Sequence, residues 1–358
     1  MTEIIQKFNQ IGQSIWYDNI ERKLLKDGTL SGMISRGEIR GITSNPSIFN
    51  KAISQSDEYD QEIESLTKEG LSSEDIYEQL AISDIQAAAD LFGPLYEQTN
   101  GGDGYVSLEV SPFLAHDTEK TVSEAKKLWS KVDRPNLMVK IPATIAGLPA
   151  ITETIAAGIN VNVTLIFSLD RYREVREAYL AGLEKRLSSG NSVTNIASVA
   201  SFFISRIDSK VDKMLESLAD EAAPGDKTQI ESLFGKAAVA SGKIAYQDYE
   251  DTFGENGIRF SKLVNQHAKR QRVLWASTST KNPSYLDTKY VDEMIGPYSI
   301  NTIPPKTLSA FLDHGVVDRT IDKDIESARK VLEDLSTVGI DLDLATKQLE
   351  SEGVESFA

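Results

Sequence analysis

A lysine set into an apolar strand does little for stability and a great deal for reactivity. The segment 137–141 (LMVKI) reads as a strand, with Lys140 on the face opposite Val139 and Ile141. Met138, Val139, Ile141 and Pro142 surround it in sequence, and apolar surroundings disfavour the charged ammonium form. A free amine attacks a carbonyl and forms a Schiff base. The resulting iminium is an electron sink, so an adjacent C–C bond breaks and leaves an enamine. That step needs a base to accept a hydroxyl proton and later an acid to return one. Asp18 in 14–18 (SIWYD) and Glu109 in 105–110 (YVSLEV) are the carboxylates in comparable strand settings. Most other lysines fall in polar helical stretches and read as solvated.

Other strand-like segments carry polar residues too, and parity sorts them, because a strand changes face at every residue. Ser107 and Glu109 share a face, as do Asn162 and Thr164 in 161–167 (VNVTLIF). So do Thr43 and Asn45 in 40–45 (RGITSN), Ser201 and Phe203 in 198–204 (SVASFFI), and Trp16 and Asp18. Strands covered on both sides should be almost wholly apolar. The economical reading puts the apolar faces against helices and the polar faces in the lumen of a closed sheet. A satisfied polar layer accounts for any one Ser or Thr. A lysine and two acids in one lumen are different, since uncompensated buried charge costs several kcal/mol and such groups pair or react.

The elements that must position these residues alternate. Strand candidates at 14–18, 40–45, 105–110, 137–141, 161–167, 198–204, 273–277 and 299–303 are separated by stretches of helical period, such as 76–95, 119–129, 171–187 and 204–218. Alternation implies a parallel sheet, and eight units point to closure into an α/β fold of (β/α)₈ type, whose sites lie at the strand C-termini. An open doubly wound sheet would share the alternation, but no GxGxxG or GxxxxGK[ST] supports a nucleotide-binding version. Residues 219–254 lengthen one connection and read as an added helix behind a Pro-Gly turn. Residues 322–357 read as two helices broken near Gly339, the first packing on the barrel through Ile325, Ala328, Val331, Leu332 and Leu335. Without a linker or internal repeat, 1–358 reads as one domain.

Composition narrows the classes. The 358 residues are 40% hydrophobic, enough for a large core. There are no cysteines, which removes disulfides, thiol nucleophiles and cysteine-ligated metals and fits a reducing compartment. His116, His267 and His314 are the only histidines and show no HExxH spacing, so acid–base chemistry falls to carboxylates, lysine or tyrosine. The net charge of −16 repels nucleic acid and anionic membranes. No signal peptide or spanning segment is evident, and a cytoplasmic protein is expected. An anionic ligand would need local cations in its pocket.

At these residues the sequence resembles the transaldolase family. The segment 41–49, GITSNPSIF, resembles the family's first signature, and 136–147, NLMVKIPATIAG, resembles its Schiff-base lysine signature. YVSLEVSP, GINVNVTLIFS and SVASFFISRID follow in the expected order, so the resemblance spans roughly 14–315. It implies transfer of a dihydroxyacetone unit from sedoheptulose 7-phosphate to glyceraldehyde 3-phosphate, giving erythrose 4-phosphate and fructose 6-phosphate, without cofactor. On this resemblance Lys140 forms the Schiff base and Asp18 is the base for the C4 hydroxyl. Glu109 and Thr164 hold a catalytic water. Asn45 and Asn162 bind substrate hydroxyls, Ser201 and Phe203 shape the pocket, and Arg206 binds phosphate. Many relatives carry a second phosphate-binding arginine after strand seven. Here 275–285 (WASTSTKNPSY) has none; Ser277 still fits, and Lys281 is the natural cationic substitute. Bland readings stand beside these: Arg206 as a surface pair with Asp208, Lys281 as a solvated loop charge. The 219–254 insertion marks a longer variant, either monomer or homodimer. Alternatives are a class I aldolase that releases the three-carbon unit, a non-catalytic sugar-phosphate-binding barrel, and a cofactorless isomerase, the last disfavoured for want of a lumen histidine.

Overall fold

The computed structural model describes residues 3–357. Eight strands follow in chain order: β1 (Ser14–Asp18), β2 (Gly41–Thr43), β3 (Tyr105–Glu109), β4 (Leu137–Pro142), β5 (Val161–Ile166), β6 (Ser198–Phe203), β7 (Gln271–Ala276) and β8 (Ile300–Ile303). Each pairs in parallel with its sequence neighbours, and β8 closes on β1. The expected (β/α)₈ barrel is therefore present, and the parity argument holds. Val139, Ile141, Val161, Val163, Ala200 and Phe202 are fully buried, on the strand faces opposite the lumen-facing Lys140, Asn162 and Ser201.

Two local devices shape the barrel. At its N-terminal end Trp16 points inward and lies where a side chain on β2 would be. A Cβ added at Gly41 would fall 2.7 Å from the indole ring, so this strand position must be glycine. Below the ring, Asp103 accepts from Trp16 Nε1, Ser14 Oγ, Arg40 Nε and Arg272 Nη1, tying four segments across the mouth. On β5 the register against β6 slips between Val163 and Ile166, and Leu165 takes φ = +60°. A bulge of this kind re-aims neighbouring side chains and is common beside active sites. Thr164, just before it, still faces the lumen.

The 219–254 segment differs from expectation. It contains two helices, Pro224–Glu231 and Ala237–Phe253, not one. Pro224 and Gly225 form the first turn of the former, where proline's missing N–H costs nothing. The second is buried at eleven of its seventeen residues and belongs to the outer helix layer. The C-terminal helices are as expected, Ile325–Thr337 and Leu342–Phe357, with Gly339 at φ = +96° between them. The first docks on the added helix rather than on the strands, Ala328 meeting Ala240 and Ile244. The second crosses the strand C-termini, where Gly353 approaches Leu165 and Phe167. Among the described residues no helix is long and apolar enough to cross a membrane.

Candidate active site

Lys140 sits on β4 directly opposite Glu109 of β3. Its Nζ donates to the Ser44 carbonyl at 2.8 Å and lies 3.0 Å from Glu109 Oε2, with both side chains less than a tenth exposed. The second contact is close but off the hydrogen-bonding direction, so Glu109 Oε2 makes no directed bond and acts on the lysine chiefly by charge. This corrects the apolar setting expected from the flanking residues. Val139 and Ile141 face away toward the helices, and the amine meets a carboxylate and a carbonyl instead. Ser44 is held in turn by its own hydroxyl, which donates to the Ser107 carbonyl at 2.6 Å.

Asp18 ends β1 across the lumen. Thr43 Oγ1 donates to Asp18 Oδ1 at 2.7 Å and lies 2.5 Å from Thr302 Oγ1. Because Thr43 spends its proton on the carboxylate, Thr302 is the donor to Thr43. A two-hydroxyl chain from β8 through β2 thus orients Asp18. Loss of solvent in the lumen pushes Asp18 above the usual carboxylate range, against the pull of Thr43, Lys140 and Lys281. Glu109 is also pushed up by desolvation, with Lys140 opposing and Asp18 adding to the rise. Glu109 therefore feels the charge of Asp18 across the lumen.

Ser201 Oγ donates to Asn162 Oδ1 at 2.7 Å, and Asn162 Nδ2 donates to Ser107 Oγ at 3.0 Å. Asn162 is in register with Lys140 but beneath the open cavity, its amide engaged by lumen neighbours. Thr164 Oγ1 is buried without a protein partner beside this floor. Asn45 caps the helix Pro46–Ser54 through Oδ1, which accepts from Ile48 N.

Above this floor opens a cavity of about 380 Å³ at the C-terminal end of the barrel. Asp18, Asn45, Lys140, Thr164, Ser201, Phe203, Arg206, Ser277 and Lys281 all reach it. Of the residues expected at a site, Glu109 and Asn162 alone stand behind its wall. Arg206, in the first turn of the helix Ser205–Glu221, spreads over the Phe203 ring at 5.7 Å. It is not paired with Asp208, which accepts from Ala238 N and the Tyr290 hydroxyl. Burial lowers the affinity of Arg206 for its proton. It does the same for Lys281, on which the charge of Arg206 also acts. Two half-buried cations that face one cavity, one disfavouring the charge of the other, are a place for an anion. Ser277, at φ = +55°, meets Ser205 hydroxyl to hydroxyl at 3.1 Å, and so ties the end of β7 to the Arg206 helix.

Several members were not foreseen. Thr302 was not singled out, and its pairing with the lumen-facing Thr43 depends on barrel closure. The Ser44 carbonyl has no sequence signature. Lys51 and Ser47 arrive on the helix after β2, and Phe357 from the far end of the chain. Among the described residues no three of His, Asp and Glu converge on a metal-sized point. A second hollow of about 320 Å³ lies at the opposite mouth beneath Trp16, but it holds no lysine–carboxylate pair.

Residues 15–358 match the model of the family described as transaldolase/fructose-6-phosphate aldolase. A transaldolase from Saccharopolyspora erythraea is 49% identical, over 99% of this chain and 93% of its own length. One from Trichodesmium erythraeum is 47% identical over 100% and 94%, and one from Thermobifida fusca 46% over 99% and 94%.

Proposed function

The chain belongs to the transaldolase/fructose-6-phosphate aldolase family, and from that premise we propose that the cavity over Lys140 is a transaldolase site of the non-oxidative pentose phosphate pathway, in carbohydrate metabolism. It moves a dihydroxyacetone unit from sedoheptulose 7-phosphate to glyceraldehyde 3-phosphate and forms erythrose 4-phosphate and fructose 6-phosphate. The observation that carries this is the contact of Lys140 Nζ with Glu109 at the floor of a cavity rimmed by Asp18, Arg206 and Lys281.

The residues divide the work as follows. Lys140 passes a proton to its surroundings, and its amine adds to the C2 carbonyl of the ketose phosphate. Loss of the C2 oxygen as water leaves the iminium. Glu109 and Thr164, whose Oε2 and Oγ1 have hydrogen-bonding capacity to spare, hold the water that relays protons for this dehydration. Asp18 takes the C4 hydroxyl proton as the C3–C4 bond breaks. The electron pair moves into the enamine, and the aldose phosphate departs. The enamine then adds to the acceptor aldehyde, Asp18 returns its proton, and hydrolysis frees Lys140. Asn45 binds substrate hydroxyls. Asn162, expected to do the same but engaged beneath the floor, orients Ser201 instead. Ser201 and Phe203 bound the pocket, and Arg206, Lys281 and Ser277 receive phosphate. Lys281 thus takes the place of a second arginine. Neither metal nor organic cofactor enters this scheme. We read the chain as one cytoplasmic domain, monomeric or homodimeric.

The test is reductive trapping. Borohydride with fructose 6-phosphate should inactivate the enzyme and leave an adduct on the peptide bearing Lys140, and Lys140→Ala should abolish turnover and trapping together. Trapping that survives Lys140→Ala would assign the chemistry to another lysine.

A further inference from the structure

We propose that Asp208 and Asp212, with Tyr285 and Tyr290, are positioning residues: they clamp the added helix and the loop after β7 to the helix carrying Arg206, and so set the spacing of the two phosphate cations. The proposal rests on the reading of Arg206 and Lys281 as phosphate ligands and gives the 219–254 insertion a task in that site.

The geometry is specific. Asp208 and Asp212 lie four residues apart on the helix Ser205–Glu221, hence on one face. Asp208 Oδ1 accepts from Ala238 N at 2.7 Å, and its Oδ2 from the Tyr290 hydroxyl at 2.7 Å. Asp212 Oδ1 accepts from Gly235 N at 2.9 Å, and its Oδ2 from the Tyr285 hydroxyl at 2.7 Å. Each carboxylate therefore spends one oxygen on the start of the added helix Ala237–Phe253 and the other on the β7–β8 connection. Ala238 N belongs to the helix's first turn, whose N–H groups have no intrahelical acceptor, so the acids also cap it. Gly235 sits at φ = +67°, and a Cβ there would lie 2.7 Å from the Tyr285 ring, so loop and insertion meet without room for a side chain. Both acids are less than a tenth exposed.

The need for such a clamp follows from the residue it serves. Lys281 stands four positions before Tyr285 in the connection between Ala276 and Ile300, where the one helix is the four-residue Lys289–Asp292. A lysine is a point charge on a flexible stem and cannot impose its own geometry on phosphate as a guanidinium fork does. Its loop must be held from outside. Arg206 lies two residues before Asp208, so the same two carboxylates hold both cations in one frame.

The test uses Tyr285→Phe, which removes a hydroxyl and keeps the ring, alongside Asp212→Ala and Lys281→Ala. The readout is kcat/KM for glyceraldehyde 3-phosphate divided by that for glyceraldehyde. Tyr285→Phe should lower this ratio on the order of tenfold, mainly through KM for the phosphorylated acceptor. Borohydride trapping with dihydroxyacetone should not change. In the double variant with Lys281→Ala the effect should vanish into that of Lys281→Ala alone. A purely structural tyrosine would lower the melting temperature and depress both acceptors equally, which would overturn the clamp. A ratio lowered by Lys281→Ala but untouched by Tyr285→Phe and Asp212→Ala would also overturn it while leaving the phosphate reading intact. A ratio unchanged by Lys281→Ala would remove the phosphate reading and the clamp with it.

Discussion

Arg206 is placed where a cation has little to gain from the fold. It stands in the first turn of its helix, where the dipole favours negative charge. Burial acts against its charge, and Glu352 pulls the other way. Its stacking on Phe203 is worth on the order of 0.5–1 kcal/mol at a partly exposed site. These terms roughly cancel, so Arg206→Ala should leave the melting temperature within a few degrees of wild type. Substrate binding should behave otherwise. Hydrogen bonds to a charged group contribute about 1.5–3 kcal/mol, or roughly 10- to 150-fold. Arg206→Ala should therefore lower kcat/KM for fructose 6-phosphate and glyceraldehyde 3-phosphate by one to two powers of ten, sparing glyceraldehyde. Arg206→Lys should fall between, since charge survives but the bidentate fork is lost. The assay is the phosphorylated-to-dephosphorylated efficiency ratio beside a thermal melt. An unchanged ratio, or a melt lowered by many degrees with both substrates equally impaired, would refute the reasoning.

The two acids should fail at different steps. Asp18→Asn should still be trapped by borohydride but cleave slowly, whereas Glu109→Gln should form the Schiff base slowly, each by on the order of 10²–10⁴; single-turnover traces blocked at one common step would contradict this. Asp208 should shape stability with pH. Burial pushes its carboxyl from an ordinary 3.8 up to about 6, with Asp212 adding to the rise and Ala238 N, the Tyr290 hydroxyl and Lys289 opposing it. The native form then binds the proton more readily than the unfolded chain. This contribution is complete below 3.8, is lost as pH climbs through about 6, and amounts to roughly 3 kcal/mol. Urea midpoints of wild type should fall more between pH 4 and pH 7 than those of Asp208→Asn, and parallel pH dependences would speak against it.

Much of the site was legible because a parallel barrel makes parity meaningful. Alternation along YVSLEV, LMVKI and VNVTLIF sorts Glu109, Lys140 and Thr164 into one lumen, and the register Glu109↔Lys140 and Pro142↔Thr164 agrees with that sorting. What stayed hidden depends on closure or on long range. Thr302 reaches Thr43 because β8 returns to β1. The Ser44 carbonyl is backbone, and Phe357 arrives after a whole circuit of the barrel. The apolar setting of Lys140 was misread for a physical reason: its immediate neighbours Val139 and Ile141 lie on the opposite face, and the residues that touch the amine come from β3 and from the turn after β2.

That turn explains how two carboxylates coexist with one lysine. Glu109 and Asp18 each lose solvent, and each feels the other's charge or the lysine's. Left unsupported, two such acids in one lumen would compete for protons. The fold separates them by what they are bonded to. Asp18 is held by hydroxyls from β2 and β8, a polar chain that steadies the carboxylate and leaves Oδ2 for a substrate hydroxyl. Glu109 has the lysine 3.0 Å away and an oxygen free of directed bonds. These settings suit the division of labour proposed above, in which Asp18 takes and returns a proton at the substrate and Glu109 exchanges protons with the amine through water. Pairs of titratable groups held apart by their environments are how a site divides acid–base roles. Here the division follows the barrel itself, since strands β8, β1 and β2 furnish one environment and β3, β4 and β5 the other.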